Sequence, residues 1–309
     1  MASGVTYRRA IRELAEFFGC EATERAVYEH RLATDPAEYA SSLLRATGTG
    51  SLLVDDGYPP PGEGTSWDEL GELAGCEAHP IMRIERVAEE NMDDLLEAVR
   101  AEVATARDRG FVAFKTIAAY RGGLDFDAPT DDDTVLLWGR ISGALVRDAV
   151  RAALEANEAT GDPLPVQVHA GFGDSDLFLP RVHPGYLKPL IERFRDTPFV
   201  LLHCYPFVRE AGWLAHVYGN VYFDLSLTIP HVARPAEMVR QALELAPVSK
   251  LLYASDAART PELYYLAAKW WREALAEVLP ELLGPDDAVG AGERILRENA
   301  LDLYGLRRG

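Results

Sequence analysis

Short apolar runs alternate with longer amphipathic stretches along most of this chain of 309 residues. A run that is apolar on both faces suits a strand of a parallel sheet covered on both sides. Helical sequence follows each run, and a regular strand-helix alternation is typical of parallel β/α units. The apolar runs begin at seven positions: Leu52, Ile81, Phe111, Val166, Phe199, Val221 and Leu251.

Seven runs predict a β/α barrel that is one strand short, because a closed barrel of this type needs eight. Before the first run, three helices are predicted over 7–18, 21–32 and 36–46, which are rich in Ala, Glu, Arg and Leu. The later helices are predicted over 91–109, 133–159, 184–195, 208–218, 235–245 and 261–279. We therefore predict an α/β protein, a (β/α)8 TIM-type barrel that lacks its first strand. It would be a single domain over residues 1–309, with a helical segment over 1–48 and β/α units two to eight over 49–309.

Composition narrows the classes of protein and partner. Apolar residues make up 48% and charged residues 26%, as in globular chains, and no run approaches the roughly 18 apolar residues of a membrane helix. The net charge of −18 argues against nucleic acids and anionic membranes as partners, because Lys and Arg hold both. Three widely spaced cysteines and the lack of a signal-peptide pattern fit a reducing cytoplasm. We expect a cytoplasmic homo-oligomer that acts on a small molecule.

Two histidines, His169 and His203, end two successive strand runs, and Asp256 ends the last one. The carboxyl ends of parallel strands share one edge of the sheet, where the active sites of barrels form. Two imidazoles and a carboxylate at that edge predict a metal site. The alternative roles are structural histidines and, for Asp256, an N-cap of the following helix. Strand alternation places Leu201 on the same face as His203, and Gln167 on the same face as His169.

Lys115 and Asp224 also end strand runs. Lys115 is predicted to pair with a carboxylate or a substrate anion, or to be carbamylated into a metal bridge. A structural salt bridge inside the barrel is the alternative. Asp224 is predicted to support the metal site through hydrogen bonds.

Four strand-end motifs occur in order along the chain: Val-His169-Ala-Gly-x-Gly-Asp174, Leu-Leu-His203-x-Tyr-Pro206, Asn220-Val-Tyr-x-Asp224 and Leu-x-Ala-Ser-Asp256. As an ordered set they are specific. Together they resemble the amidohydrolase-related (amidohydrolase 2) family of metal-dependent hydrolases. Residues 114–121 and 299–304 resemble the subgroup also found fused to glutamine-synthetase-like domains.

The resemblance implies one or two divalent metals at the carboxyl ends of the strands, with zinc expected and manganese or iron as alternatives. It implies that His169 is the strand-five ligand, that His203 binds metal or polarises the substrate, and that Asp256 binds metal and moves a proton. Lys115 is expected to join His203 and Asp256 in catalysis of amide or related C–N bond hydrolysis. Four further residues are expected to bind the substrate: Arg121, Asp174, Tyr205 and Arg209.

One departure from the family concerns the first strand. The family carries His-x-His there, or a close variant, and this chain has no such run. Two explanations stay open: a native protein that is longer at its amino terminus, or a genuine short form whose site binds metal weakly or not at all. Decarboxylation or isomerisation on the same barrel, and a non-catalytic binding module, are the alternative functions.

Overall fold

The computed structural model describes residues 4–59, 62–128 and 141–306. Seven strands in these residues form one parallel sheet in chain order, with β1 and β7 at its two ends. The strands are β1 (Ser51–Asp55), β2 (Glu77–Arg83), β3 (Ala113–Thr116), β4 (Val166–Ala170), β5 (Phe199–His203), β6 (Val221–Asp224) and β7 (Leu251–Leu252).

Helices precede the sheet and connect its strands. Within the described ranges, no helix has the length and apolar character needed to cross a bilayer. The helices are α1 (Val5–Phe18), α2 (Glu24–Ala33), α3 (Pro36–Ala46), α4 (Trp67–Ala74), α5 (Ile84–Glu90), α6 (Leu95–Thr105), α7 (Gly143–Ala159), α8 (Lys188–Arg193), α9 (Val208–Val217), α10 (Pro235–Leu243), α11 (Pro261–Leu283), α12 (Pro285–Glu293) and α13 (Asn299–Leu303).

The predicted class is confirmed: seven parallel strands with intervening helices, preceded by three helices. Several boundaries were wrong. The run that begins at Ile81 continues past β2 into α5, which begins at Ile84, and the helix predicted over 91–109 is the shorter α6. The helix predicted over 133–159 is α7 from Gly143, where the Ser142 hydroxyl caps the Leu145 amide; positions 133–140 lie outside the described residues.

The sheet separates two apolar layers. The larger layer packs between the strands and the surrounding helices and includes Leu201, Phe199 and Phe223. The smaller one fills the concave interior, where Tyr304 lies at its base and accepts a hydrogen bond of 2.9 Å from Gln167. Side chains therefore fill the interior below the carboxyl ends of the strands, as in packed barrels. The smaller layer consists of Ile81, Ala113, Val200, Leu202, Leu252 and Tyr304.

Helices α1 and α3 are attached to α11 through buried carboxylates. Glu13 on α1 accepts a hydrogen bond of 2.7 Å from the indole of Trp270, and Glu262 on α11 accepts one of 2.9 Å from the hydroxyl of Tyr39 on α3. Both bonds join charged to neutral groups in buried surroundings, where such bonds contribute about 1.5–3 kcal/mol each. The amino-terminal segment is thus packed onto the helix that follows the last strand.

The β7 end of the sheet is covered by the carboxyl-terminal segment. The Tyr253 amide donates to the carbonyl of Ile295 at 3.0 Å. The Asn299 side chain donates to the carbonyls of Leu251 and Val248 at 2.9 and 2.8 Å. These bonds satisfy backbone groups that an edge strand otherwise leaves unpaired. They give a physical role to the Asn that begins the terminal motif over 299–304.

We predict that Asn299→Ala destabilises the protein by about 2 kcal/mol, because it removes two hydrogen bonds at the end of the sheet, a buried one to Leu251 and a partly buried one to Val248. Urea unfolding followed by circular dichroism measures the change. The matched control is Asn91→Ala, whose side chain makes one exposed bond to Val87 and whose loss should cost less than about 1 kcal/mol. Equal losses from the two substitutions would show that Asn299 does not secure the edge.

Candidate active site

The strand ends bring four of the predicted residues into one constellation. The Nε2 atom of His203 lies 2.9 Å from Nδ1 of His169 and 3.8 Å from Oδ2 of Asp256. Oδ1 of the same aspartate lies 3.8 Å from Nζ of Lys115. Both histidines and the lysine are buried, whereas the Asp256 side chain is one-third exposed. The carboxylate therefore forms the part of the constellation nearest to solvent.

His203 reaches this constellation through a local reversal of the backbone. Leu201 belongs to the larger apolar layer, between the strands and the helices, so the expectation that it shares a face with His203 was wrong. Both His203 (φ 68°) and Cys204 (φ 62°) adopt the left-handed conformation, which breaks the strand alternation and turns the imidazole onto His169. Such a conformation costs about 1–3 kcal/mol for a non-glycine residue, and it is found mainly where function requires it.

Asp224 holds this reversal in place. Its Oδ1 atom accepts hydrogen bonds from the His203 amide at 2.7 Å and from the amide and hydroxyl of Ser226 at 3.0 and 2.8 Å. Burial raises the pKa of Asp224 to about 6, although these bonds act to lower it. The predicted supporting residue is therefore placed directly behind one of the predicted ligands.

The same network determines the tautomer of His203. Because the Ser226 hydroxyl donates to Asp224, its lone pairs face Nδ1 of His203 at 2.7 Å, and Nδ1 carries the proton. Burial and the nearby Lys115 ammonium lower the pKa of His203 well below its usual value, so the ring is neutral. His203 thus presents an unprotonated Nε2 atom to the interior, the form in which imidazole binds metals.

His169 is enclosed by aromatic and glycine residues. Its ring centroid lies 4.7 Å from that of Tyr120, and a Cβ atom at Gly173 would lie 3.0 Å from Nε2 and 2.1 Å from the Tyr120 hydroxyl. Only glycine fits at this position. Burial and the neighbouring His203 lower the pKa of His169 well below its ordinary value. Its Nε2 atom is buried without a hydrogen-bond partner.

Lys115 lies between two carboxylates. Its ammonium is 3.2 Å from Asp55, which ends β1, and 3.8 Å from Asp256. Burial opposes the charge, but the two carboxylates outweigh it and raise the pKa of Lys115. Asp55 is also held by Arg83, whose Nε lies 3.2 and 3.1 Å from the two carboxylate oxygens. Burial opposes ionisation of Asp55 too, and Lys115 and Arg83 lower its pKa.

The alternative role for Asp256 as a helix cap was wrong. Helix α11 begins at Pro261, and the residue at its N-cap is Thr260. Asp256 instead lies in the loop after β7 with a φ of 50°. This left-handed conformation, like that of His203, is a local cost at a residue that faces the site.

Three of the four predicted substrate-binding residues lie in loops that follow strands β3, β4 and β5. Arg121 follows the 3-10 turn after β3 and lies 3.7 Å from Glu89. The exposed Asp174 donates its amide to the Tyr120 hydroxyl at 3.1 Å. Tyr205 is 41% exposed, and its ring lies near that of Phe172.

Arg209 lies apart from these residues on α9. Its exposed guanidinium pairs with the exposed carboxylate of Glu244 at 2.9 Å. Surface pairs of this kind contribute at most about 1 kcal/mol. The structure shows no contact between this pair and the histidines within the described ranges, and the substrate-binding role of Arg209 stays a prediction.

The imidazole nitrogens of His169 and His203 and the carboxylate of Asp256 are donor types that bind divalent ions. Two nitrogens bound to one tetrahedral zinc ion at about 2.1 Å lie about 3.4 Å apart, whereas Nε2 of His203 and Nδ1 of His169 are 2.9 Å apart, so the two rings would separate slightly around an ion. However, no three His, Cys, Asp or Glu side chains in the described part of the chain surround a common point closely enough to hold an ion. An ion bound by both imidazoles must replace the proton that they share, and Asp256 must approach.

Sequence reasoning missed four residues of the site: Asp55, Arg83, Tyr120 and Ser226. Asp55 and Arg83 carry the signal that identified the histidines, because each ends an apolar strand run. Tyr120 lies within the motif over 114–121 and Ser226 lies two residues after Asp224, but their contacts with the histidines depend on how separate loops meet. No pattern along the chain reveals such a meeting.

Comparisons with known proteins place this geometry in a family. The family profile described as amidohydrolase matches residues 73–306. Protein fluG of Emericella nidulans is 35% identical over 225 residues, which cover 64% of this chain and 26% of that protein. The chain thus spans about a quarter of the length of this relative.

Seven chains of solved structures are similar to this one, and among them are two that cover nearly its whole length. One, from Lactobacillus casei, was assigned as a metal-dependent hydrolase; it has a TM-score of 0.85 and 29% identity, and the alignment covers 99% of this chain and 85% of that one. A TIM-barrel protein from Bordetella bronchiseptica has a TM-score of 0.54 and 16% identity, over 96% of this chain and 89% of that one, and shows the fold alone.

Behind the site, Glu85 supports the loop that carries Tyr120. Its Oε1 atom accepts hydrogen bonds from the hydroxyl of Thr116 at 2.5 Å and from the amide of Ile117 at 2.9 Å, while Oε2 is buried without a partner. Burial raises the pKa of Glu85 above its ordinary value of 4.5. The folded state therefore favours the protonated carboxyl, and the stability that this group contributes is lost as the pH rises through its raised pKa.

We predict that Glu85→Gln gains stability relative to the wild type as the pH rises above about 4.5, because the amide keeps the acceptor and never ionises. Urea unfolding at several pH values between about 5 and 8 measures the difference in unfolding free energy between the variant and the wild type. Glu90→Gln is the control, since Glu90 is an exposed partner of Arg86 in the same helix. Glu85→Ala, which removes the acceptor, should cost about 2 kcal/mol near pH 4.5 and less as the pH rises, because alanine does not ionise either. Parallel curves for Glu85→Gln and the wild type would contradict the prediction.

Proposed function

The chain belongs to the amidohydrolase family, and we propose that it is a metal-dependent hydrolase that cleaves an amide or related C–N bond of a small molecule. The observation that carries the proposal is the convergence of His169, His203 and Asp256 at the carboxyl ends of the strands. The similarity to the structure from Lactobacillus casei assigned as a metal-dependent hydrolase supports it.

We propose zinc as the ion, because two imidazoles and a carboxylate form a common zinc ligand set. Manganese and iron accept the same donors. His203 Nε2 is already unprotonated in the tautomer that Ser226 imposes, and His169 would supply Nδ1. When bound, the ion would lower the pKa of a water molecule and polarise the scissile carbonyl.

Asp256 is proposed as the general base. Its carboxylate is the most exposed of the convergent groups, so water and substrate reach it first. Oδ1 faces Lys115 and Oδ2 faces His203, which orients the carboxylate between them. Asp256 would accept the proton of the attacking water and pass it to the leaving nitrogen as the C–N bond breaks.

Lys115 and His203 are proposed to assist this transfer. The ammonium of Lys115 supplies a positive charge beside Asp256, in a buried setting where charge interactions are strong. A fixed cation of this kind stabilises negative charge that develops on the substrate. Neutral His203 presents its unprotonated Nε2 atom 3.8 Å from Asp256 and would bind the ion on that side of the carboxylate.

The rim of the site suits a substrate with an apolar part and an anionic part. The ring centroids of partly buried Phe172 and exposed Tyr205 lie 6.2 Å apart, and that of His231 lies 5.6 Å from that of Phe172. We propose that these rings pack against the apolar part. Arg121 is proposed to receive a carboxylate, and Asp174 to accept a hydrogen bond from the substrate; Arg209 would take part only if it left Glu244.

We predict that the purified protein binds about one zinc ion per chain and that His169→Ala weakens binding by at least about 100-fold, because one of three ligands is lost. Inductively coupled plasma mass spectrometry and competition with a chelating dye measure stoichiometry and affinity. The control is His216→Ala, a surface histidine on α9, which should bind zinc like the wild type. Absence of zinc from the wild type after loading would contradict the proposed metal site.

Asp256→Asn should lower turnover by about 100-fold to 10,000-fold, because the amide cannot accept the proton. The assay follows release of ammonia or amine from a panel of small amides and carboxylated amides. Release of carbon dioxide without amine would point instead to decarboxylation on the same barrel. Zinc binding without turnover of any compound would favour a binding module over a hydrolase.

A further inference from the structure

Lys115 lies between two carboxylates at unequal distances. Its ammonium lies 3.2 Å from Asp55 and 3.8 Å from Asp256. The nearer distance permits a hydrogen bond, and the farther one does not. Lys115 is therefore bound to Asp55 and only close to Asp256.

Asp55 is fixed more firmly than a surface carboxylate. Arg83 contacts both of its oxygens, with Nε at 3.2 and 3.1 Å and a second guanidinium nitrogen on Oδ2. The amide of Gly57 donates to Oδ1 at 2.9 Å. A Cβ atom at Gly57 would lie 2.5 Å from Cβ of Arg83, so glycine permits this close approach. Bidentate arginine pairs of this kind give strong and directional binding.

We propose that Asp55 is a positioning residue, anchored by Arg83, which holds the Lys115 ammonium away from Asp256 and so keeps that carboxylate available to a metal ion and to a proton. The proposal rests on the metal-dependent function proposed above. It adds two residues, neither among the predicted site residues, that determine how strongly Lys115 competes for Asp256.

The competition follows from simple electrostatics. The lysine chain rotates about several bonds, and without Asp55 the ammonium would have Asp256 as its nearest carboxylate. Closing a gap of 3.8 Å to direct contact would place a hydrogen bond on the oxygen that faces Lys115. It would also neutralise much of the charge that attracts a cation. A metal ion would then have to displace an ammonium before it could bind.

The test compares zinc affinities measured by competition with a chelating dye. Asp55→Asn keeps the shape of the side chain and an oxygen for the Gly57 amide, but removes the charge. We expect it to weaken zinc binding by about tenfold or more, the usual effect of losing a partner behind the ligands. Adding Lys115→Met should restore the affinity, because the competing ammonium is then gone. The control is Asp56→Asn at the neighbouring position. The Asp56 carboxylate accepts a hydrogen bond from the Arg83 amide but does not contact Lys115, so zinc affinity should stay close to that of the wild type.

Equal weakening in Asp55→Asn and in Asp55→Asn/Lys115→Met would overturn the proposal, since it would show that Asp55 acts only by keeping the local structure intact. If Asp55→Asn does not fold, the zinc affinity of the single variant Lys115→Met tests the proposal. The proposal expects zinc affinity at or above that of the wild type, because Lys115 opposes the metal. A tenfold loss of affinity in this variant would overturn it.

A second measurement, made without metal, separates this proposal from the proposed function. The coupling between Lys115→Met and Asp256→Asn is obtained from the urea midpoints of the single and double variants, in the wild-type and Asp55→Asn backgrounds. We expect stronger coupling without Asp55, because Lys115 then pairs with Asp256. Unchanged coupling would overturn the positioning role. Absence of zinc from the wild type would instead overturn the proposed function and leave this result standing.

Discussion

The carboxylate of Asp224 is the interaction on which the candidate site depends. It accepts the backbone amide of His203 and both donors of Ser226 with a single oxygen atom. These bonds stabilise a left-handed turn at His203 that a β-strand would not otherwise adopt. They also hold the serine that selects the imidazole tautomer. One buried acid thus determines both the direction in which His203 points and the nitrogen that it presents.

Much of the fold was predictable because it follows from periodicity. Each of the seven apolar runs contributes to a strand, and the order of the strands in the sheet is their order in the chain. The boundaries were less predictable where one pattern runs into another: Ile84 continues an apolar run but begins a helix. The strand run at Leu251 is short because the Tyr253 amide pairs with Ile295 in the terminal segment instead of with a neighbouring strand.

The candidate site was predictable only in part, because the sequence locates strand ends but not the directions of their side chains. His169, Lys115 and Asp256 were found because strand ends share one edge, a rule that needs no knowledge of side-chain direction. The direction of His203 could not be found in that way, since alternation assigns it to the face of Leu201 and a positive φ reverses the assignment. The tautomer of His203 and the ion pairs of Lys115 depend on contacts between separate strand ends and loops, and no spacing along the chain encodes these contacts.

The balance of charge at the site suggests what kind of ligand it accepts. Asp55 and Asp256 oppose Arg83 and Lys115, so these four groups carry no net charge. A divalent ion added to this set would leave an excess of positive charge at the carboxyl ends of the strands. The whole chain is strongly negative, with a net charge of −18. For the proposed anionic substrate, the loaded site would therefore supply a local attraction that opposes the repulsion from the net charge of the chain.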